Sequence, residues 1–137
     1  MRKLLVAAVS LAIAAPLSAA EPVTGRWLTA EKTGIVEIAP CGAKLCGTII
    51  RLTGSQRGGA DPRDANNPNP ALRSRRIVGL PILTGFTARE SDWRGQIYDP
   101  NSGKTYRSIV KLGDRDRLEV KGCIGPFCRT QVWTRVR

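Results

Sequence analysis

Histidine is absent from the 137-residue chain, which removes the commonest general base and the commonest metal ligand. Cysteines, hydroxyls and carboxylates remain. Cys41 and Cys46, like Cys123 and Cys128, have four residues between them. Two such pairs could form disulfides, a four-cysteine zinc site or a redox couple. A redox couple calls for C-x-x-C ahead of a helix, and neither pair supplies it. No G-x-S-x-G elbow occurs. Ser102-Gly103-Lys104-Thr105 copies the end of a phosphate-binding loop, but the first glycine of that motif would fall at Tyr98, and Asp99-Pro100 signals a turn. Asp61, Asp64 and Asn66 carry calcium-type oxygens without the D-x-D-x-D-G spacing, and Pro62 interrupts them, so capping and turn roles are expected. No catalytic residue, metal or cofactor is assigned. Arg73 and Arg75 are left for recognition, since a guanidinium can clamp a carboxylate or phosphate, or tie a loop to backbone carbonyls.

These arginines lie in residues 61–86, a stretch unlike the rest of the chain. Pro62, Pro68, Pro70 and Pro81 each remove a backbone donor and bias the preceding residue toward extended geometry, which excludes a central strand or a long helix. Leu72, Ile77, Val78, Leu80, Ile82 and Leu83 supply apolar anchors that argue against disorder. The stretch is therefore a long ordered connector with room for one or two helical turns at 71–78, and a connector of that length is commonly functional.

Around it, apolar and polar residues alternate over short runs at 23–29, 35–39, 47–52, 82–88, 93–98, 105–112, 117–122 and 129–136. Turn residues separate them, among them Asp99-Pro100-Asn101-Ser102-Gly103 and Gly113-Asp114-Arg115-Asp116. About eight short strands joined by tight turns predict an all-β fold: a small antiparallel barrel of roughly eight strands, with the long connector between strands 3 and 4. The connector is expected to fold across one end as a lid or plug.

The chain opens with Arg2 and Lys3, an apolar run over 4–16, and Ser18, Ala19 and Ala20. This is the layout of a signal peptide cleaved after Ala20, too short to span a membrane, and no later run forms a transmembrane segment. The division is a signal peptide at 1–20 and one barrel domain at 21–137, exported to the periplasm. An oxidising compartment favours disulfides Cys41–Cys46 and Cys123–Cys128 over zinc. The formal net charge is +11, carried largely by arginine. Anionic envelope components become plausible partners and nucleic acid does not.

Gly25-Arg26-Trp27 near the start and Trp133-Thr134-Arg135 near the end resemble the lipocalin-like arrangement in which an arginine of the last strand covers an early tryptophan. Trp27 and Arg135 are thereby expected to close one end of the barrel. The resemblance extends along the chain through Pro40-Cys41-Gly42, Leu45-Cys46-Gly47, Asn67-Pro68-Asn69-Pro70-Ala71-Leu72-Arg73-Ser74-Arg75, Gly79-Leu80-Pro81-Ile82-Leu83, Trp93, Ile97-Tyr98-Asp99-Pro100, Gly103-Lys104-Thr105-Tyr106, Gly122-Cys123-Ile124-Gly125 and Arg129-Thr130-Gln131. On these residues the chain resembles a bacterial family of exported proteins, domain of unknown function 2147. Arg76 stands where that pattern commonly has proline, and the segment between Trp93 and Tyr98 is one glycine short. The resemblance implies a small lipocalin-like barrel and carries no activity with it.

Two function classes follow. The first is a non-enzymatic binding module for a small, lipid-like or acyl-chain ligand, with Arg73, Arg75, Asn67, Tyr98 and Tyr106 as candidates for holding the ligand or pinning the connector. The second is a structural or interaction protein of the cell envelope whose basic surface meets anionic polymers, lipids or a protein.

Overall fold

The computed structural model describes residues 8–14, 22–54 and 59–137. The expected cleavage after Ala20 lies outside the described residues. Among the described residues no helix is long and apolar enough to cross a membrane.

Eight antiparallel strands close into a barrel in sequence order: β1 Gly25–Leu28, β2 Gly34–Cys41, β3 Lys44–Leu52, β4 Pro81–Ala88, β5 Trp93–Asp99, β6 Lys104–Asp114, β7 Arg117–Ile124 and β8 Phe127–Val136. Each neighbour is the next strand in sequence, and β8 returns to β1 through Arg26↔Val136, Trp27↔Arg135 and Leu28↔Thr134. Closure leaves no sheet edge along these pairs, which suits a domain with little helix to cover one. The eight-stranded barrel with its connector between β3 and β4 agrees with the period-two reading.

That alternation sorts each strand into an inner and an outer face. In β7, Leu118 and Val120 are buried while Glu119 and Lys121 face outward. In β6, Ser108 and Val110 are buried while Arg107 and Lys111 are exposed. The strands run further than expected at the cysteines. The β2–β3 and β7–β8 hairpins turn on two residues each, with Cys41↔Lys44 and Ile124↔Phe127 as the closing pairs. Gly42 and Gly125 take the positive φ that such turns demand at their first position. Cys41–Cys46 and Cys123–Cys128 are bonded, the latter between directly opposed residues. In the connector, the expected helical turns reduce to one 3-10 turn at Pro70–Leu72. Asn69 caps it by accepting from the Ala71 N–H at 3.1 Å.

One half of the lumen is filled. Val23, Trp27, Val36, Val110, Leu118 and Trp133 are all essentially inaccessible to solvent. The space remaining between Val23, Ile38, Leu45, Leu83 and Phe86 is about 10 Å³, no more than one water needs. The guanidinium of Arg135 lies 4.2 Å from the Trp27 ring centroid, a cation–π contact worth about 0.5–2 kcal/mol. Its Nε donates to the Arg115 carbonyl at 2.6 Å, and the Trp27 indole donates to the Val23 carbonyl at 3.0 Å. Gly25 makes room for this: its φ is +129°, and a Cβ there would stand 2.8 Å from the Arg135 guanidinium.

Candidate functional site

At the opposite end, strands β5 to β8 run past the filled core. Their inner positions line a cavity of about 570 Å³ bounded by Ile97, Asp99, Tyr106, Val120, Gly122, Ile124, Phe127, Cys128, Arg129 and Gln131. Register explains the set. Ile97↔Tyr106, Val120↔Gln131, Gly122↔Arg129 and Ile124↔Phe127 are cross-strand partners, so one inward row crosses the sheet at each level. Ile97, Tyr106 and Val120 form its apolar wall. At the mouth, Ile124 is 70% and Phe127 80% exposed. The polar groups are few: Arg129 and Gln131 on β8, and Asp99 on β5. The Asp99 carboxylate already accepts from the Asn101 N–H at 2.9 Å and the Ser102 hydroxyl at 2.8 Å. An apolar wall with one guanidinium and one amide suits a molecule with an apolar body and an anionic or hydrogen-bonding head.

The connector does not line this cavity. It lies along the rim at β3, β4 and the β5–β6 turn. Gly79 N–H donates to the Ile49 carbonyl at 2.7 Å, and Ile49 N–H to the Leu80 carbonyl at 3.0 Å. The Asn66 amide donates to the Pro100 and Asn101 carbonyls at 3.3 and 3.0 Å. These ties hold it beside the mouth, where sequence reading expected a lid or plug across it. The turn that holds Ser102-Gly103-Lys104-Thr105 is packed against Asn66. Gly103 has φ +70°, and a Cβ there would collide with the Asn66 carbonyl. Gly103→Ala is accordingly expected to cost about 2–4 kcal/mol, as strain at a positive φ combined with overpacking does. Thermal denaturation checks this.

The interior of the connector is built on Asp64, which has no exposed surface. Its carboxylate accepts from the Tyr98 hydroxyl at 2.5 Å, the Asn67 amide at 2.9 Å and Arg75 Nε at 2.9 Å. Its backbone N–H donates to the Arg75 carbonyl at 2.9 Å. Burial alone would raise the Asp64 pKa, but the three hydrogen bonds and the Arg75 charge outweigh it, and the carboxyl sits below its ordinary value. Tyr98 moves the other way: burial, then its hydrogen bond to the Asp64 carboxylate, push the phenol up to about 12. Arg75 also lies 6.0 Å from the Tyr98 ring centroid. Arg73 Nε donates to the Asn67 carbonyl at 2.8 Å. Asp61 takes Arg63 at 3.0 Å and Arg76 at 2.9 Å, so Arg76 has an ion-pair partner within the connector. Among the described residues no buried side-chain polar atom lacks a partner, and no three potential metal ligands converge.

The structure thus divides the candidate residues. Arg73, Arg75, Asn67 and Tyr98 meet one another around Asp64, while Tyr106 lies on the cavity wall, away from them. Asp64 as the hub, and Arg129 and Gln131 as the cavity's polar groups, escaped sequence reading. For the second pair a signal exists: Arg129 and Gln131 share the parity of Trp133 and Arg135, which places all four on the inner face.

A family model described as an uncharacterized protein conserved in bacteria (DUF2147) matches residues 25–135. The chain belongs to the DUF2147 family. The DUF2147 match spans every strand from β1 to β8 and includes both disulfides, the Asp64 cluster and the cavity. A solved structure, protein HP1028 from the human pathogen Helicobacter pylori, described as belonging to the lipocalin family, is similar to this DUF2147 chain at 26% identity with a TM-score of 0.74. The similarity covers 85% of this chain and 84% of that one. No curated protein matches the chain. The DUF2147 domain here is a lipocalin-like barrel.

Proposed function

We propose that this chain is a non-enzymatic, periplasmic binding module that takes up a small acyl-chain amphiphile in the cavity between β5 and β8. The observation that carries the reading is the cavity itself. At about 570 Å³ it falls within the roughly 300–1,000 Å³ usual for small-molecule sites. Ile97, Tyr106 and Val120 supply a wall for a hydrocarbon chain, and Arg129 with Gln131 stands where an acidic head would meet it. The similarity to a structure described as a lipocalin supports uptake of a small ligand by this fold, and two disulfides fit an oxidising compartment. The Asp64 cluster keeps the connector rigid beside the mouth, and Arg73 and Arg75 act as pins of that loop.

Titration with a fluorescent polyene fatty acid tests this. Saturable binding at one site is expected, and Arg129→Gln should weaken it about tenfold or more through loss of a charge-assisted hydrogen bond. Gly122→Leu should abolish it by filling the cavity. A Cβ at Gly122 meets only Ile97 Cγ2 at 3.8 Å and Tyr106 Cβ at 3.9 Å, which is ordinary contact, so the fold should tolerate the change. Absence of saturable binding, or full affinity in Gly122→Leu, contradicts the reading.

A further inference from the structure

We infer that the tip of the β7–β8 hairpin is a membrane-docking element that inserts into an anionic lipid surface. Ile124 and Phe127 close the two-residue turn as cross-strand partners and are 70% and 80% exposed. Two large apolar side chains side by side at the end of a projecting turn leave most of their surface in water. The tip is also rigid. Cys123–Cys128 joins the next residues inward, and Arg107 Nη2 donates to the Gly125 carbonyl at 2.5 Å. Inserting a pre-formed tip costs little conformational entropy.

Charge complementarity identifies what covers it. Arg107, in register with Cys123, and Lys121 lie on the outer face, and Arg129, opposite Gly122, stands at the cavity mouth, so cations back the apolar tip on both faces. Among the described residues none of the three has a carboxylate within ion-pairing distance. A second copy of a chain with net charge +11 would set like charges against these cations. An anionic bilayer supplies counter-charges at headgroup level and hydrocarbon just beneath, which matches cations set back from an apolar point. Docked this way, the protein would present the cavity mouth to the lipid phase. The inference goes beyond the proposed function and does not require an occupied cavity.

Co-sedimentation of the mature protein with vesicles of phosphatidylcholine, with and without phosphatidylglycerol, is the test. Binding is expected to the phosphatidylglycerol vesicles and to weaken as salt screens these cations. The double variant Ile124→Ser with Phe127→Ser should bind about tenfold or more weakly while melting at the wild-type temperature, since both side chains are exposed. Gly122→Leu should lose the fatty-acid probe and keep vesicle binding, which separates failure of the cavity from failure of the tip. The inference is overturned if wild-type protein stays in the supernatant, if it binds neutral vesicles equally, or if the double variant binds as well as wild type. Self-association through the tip without vesicle binding overturns it in favour of a second copy.

Discussion

Replacing Asp64 by alanine is expected to destabilise the protein by about 3–4 kcal/mol, although the residue lies in a connector and contributes nothing to the strand ladders. The substitution strands the Tyr98 hydroxyl and the buried Asn67 amide, and each buried donor left unpaired costs about 1–3 kcal/mol. Arg75 adds less, because its side chain is 38% exposed and can turn to water. Thermal denaturation should show the midpoint falling by about 10 °C or more for a domain of this size. Asp64→Asn retains one acceptor and the side-chain shape and should lose less. The same cluster sets two pH windows. The folded-state pKa of Asp64 lies below the unfolded value of 3.8, so its contribution is present above that value and is lost as pH falls through the folded pKa. The folded-state pKa of Tyr98 is raised from 10.0 to about 12. Its contribution is therefore complete below pH 10 and is lost as pH rises toward 12. Denaturant midpoints across pH should show both edges in the wild type. Tyr98→Phe should lack the alkaline one.

Trp27→Ala is expected to cost about 3–5 kcal/mol, the usual range for deleting a buried aromatic side chain. Trp27 is 0% exposed in the filled half of the lumen, and neighbours fixed to a closed sheet cannot collapse into the space it leaves. The loss has two further parts. The Val23 carbonyl gives up its indole donor, and Arg135 loses the ring beneath its guanidinium. Trp27→Phe keeps a ring for Arg135 and should cost clearly less. Arg135→Gln should cost about 1–2 kcal/mol, the cation–π contact plus the ties to Arg115 and Thr24. A melting temperature for Trp27→Ala within error of wild type would contradict the closed-end packing.

The barrel was legible because its signals are local. Leu118 and Val120 alternate with Arg117, Glu119 and Lys121, and Asp99-Pro100 or Gly125-Pro126 marks where the chain must reverse. Strand ends were less legible. The two cysteine hairpins turn on two residues each, and the strand pairing continues through Cys41 and Cys123, where composition alone pointed to longer loops. The Asp64 cluster could not be read, because its partners are brought together by tertiary structure: Tyr98 is 34 residues away and Arg75 is 11. A carboxylate among prolines reads as a turn residue until the strand presenting the phenol is in place. The cavity was half legible. Parity places Arg129 and Gln131 inside the barrel, but the half of the lumen left unfilled depends on where Trp27, Trp133, Leu83 and Phe86 pack.

The central claim, a small acyl-chain ligand held between β5 and β8, is tested most directly by following backbone amide resonances of the mature protein by NMR during titration with decanoate. Saturable shifts are expected at Ile97, Tyr106, Val120, Gly122, Arg129 and Gln131, with Asn67, Arg73 and Arg75 unmoved. Shifts confined to the connector around Arg73 and Arg75, or no saturable shift at the cavity residues, would contradict it.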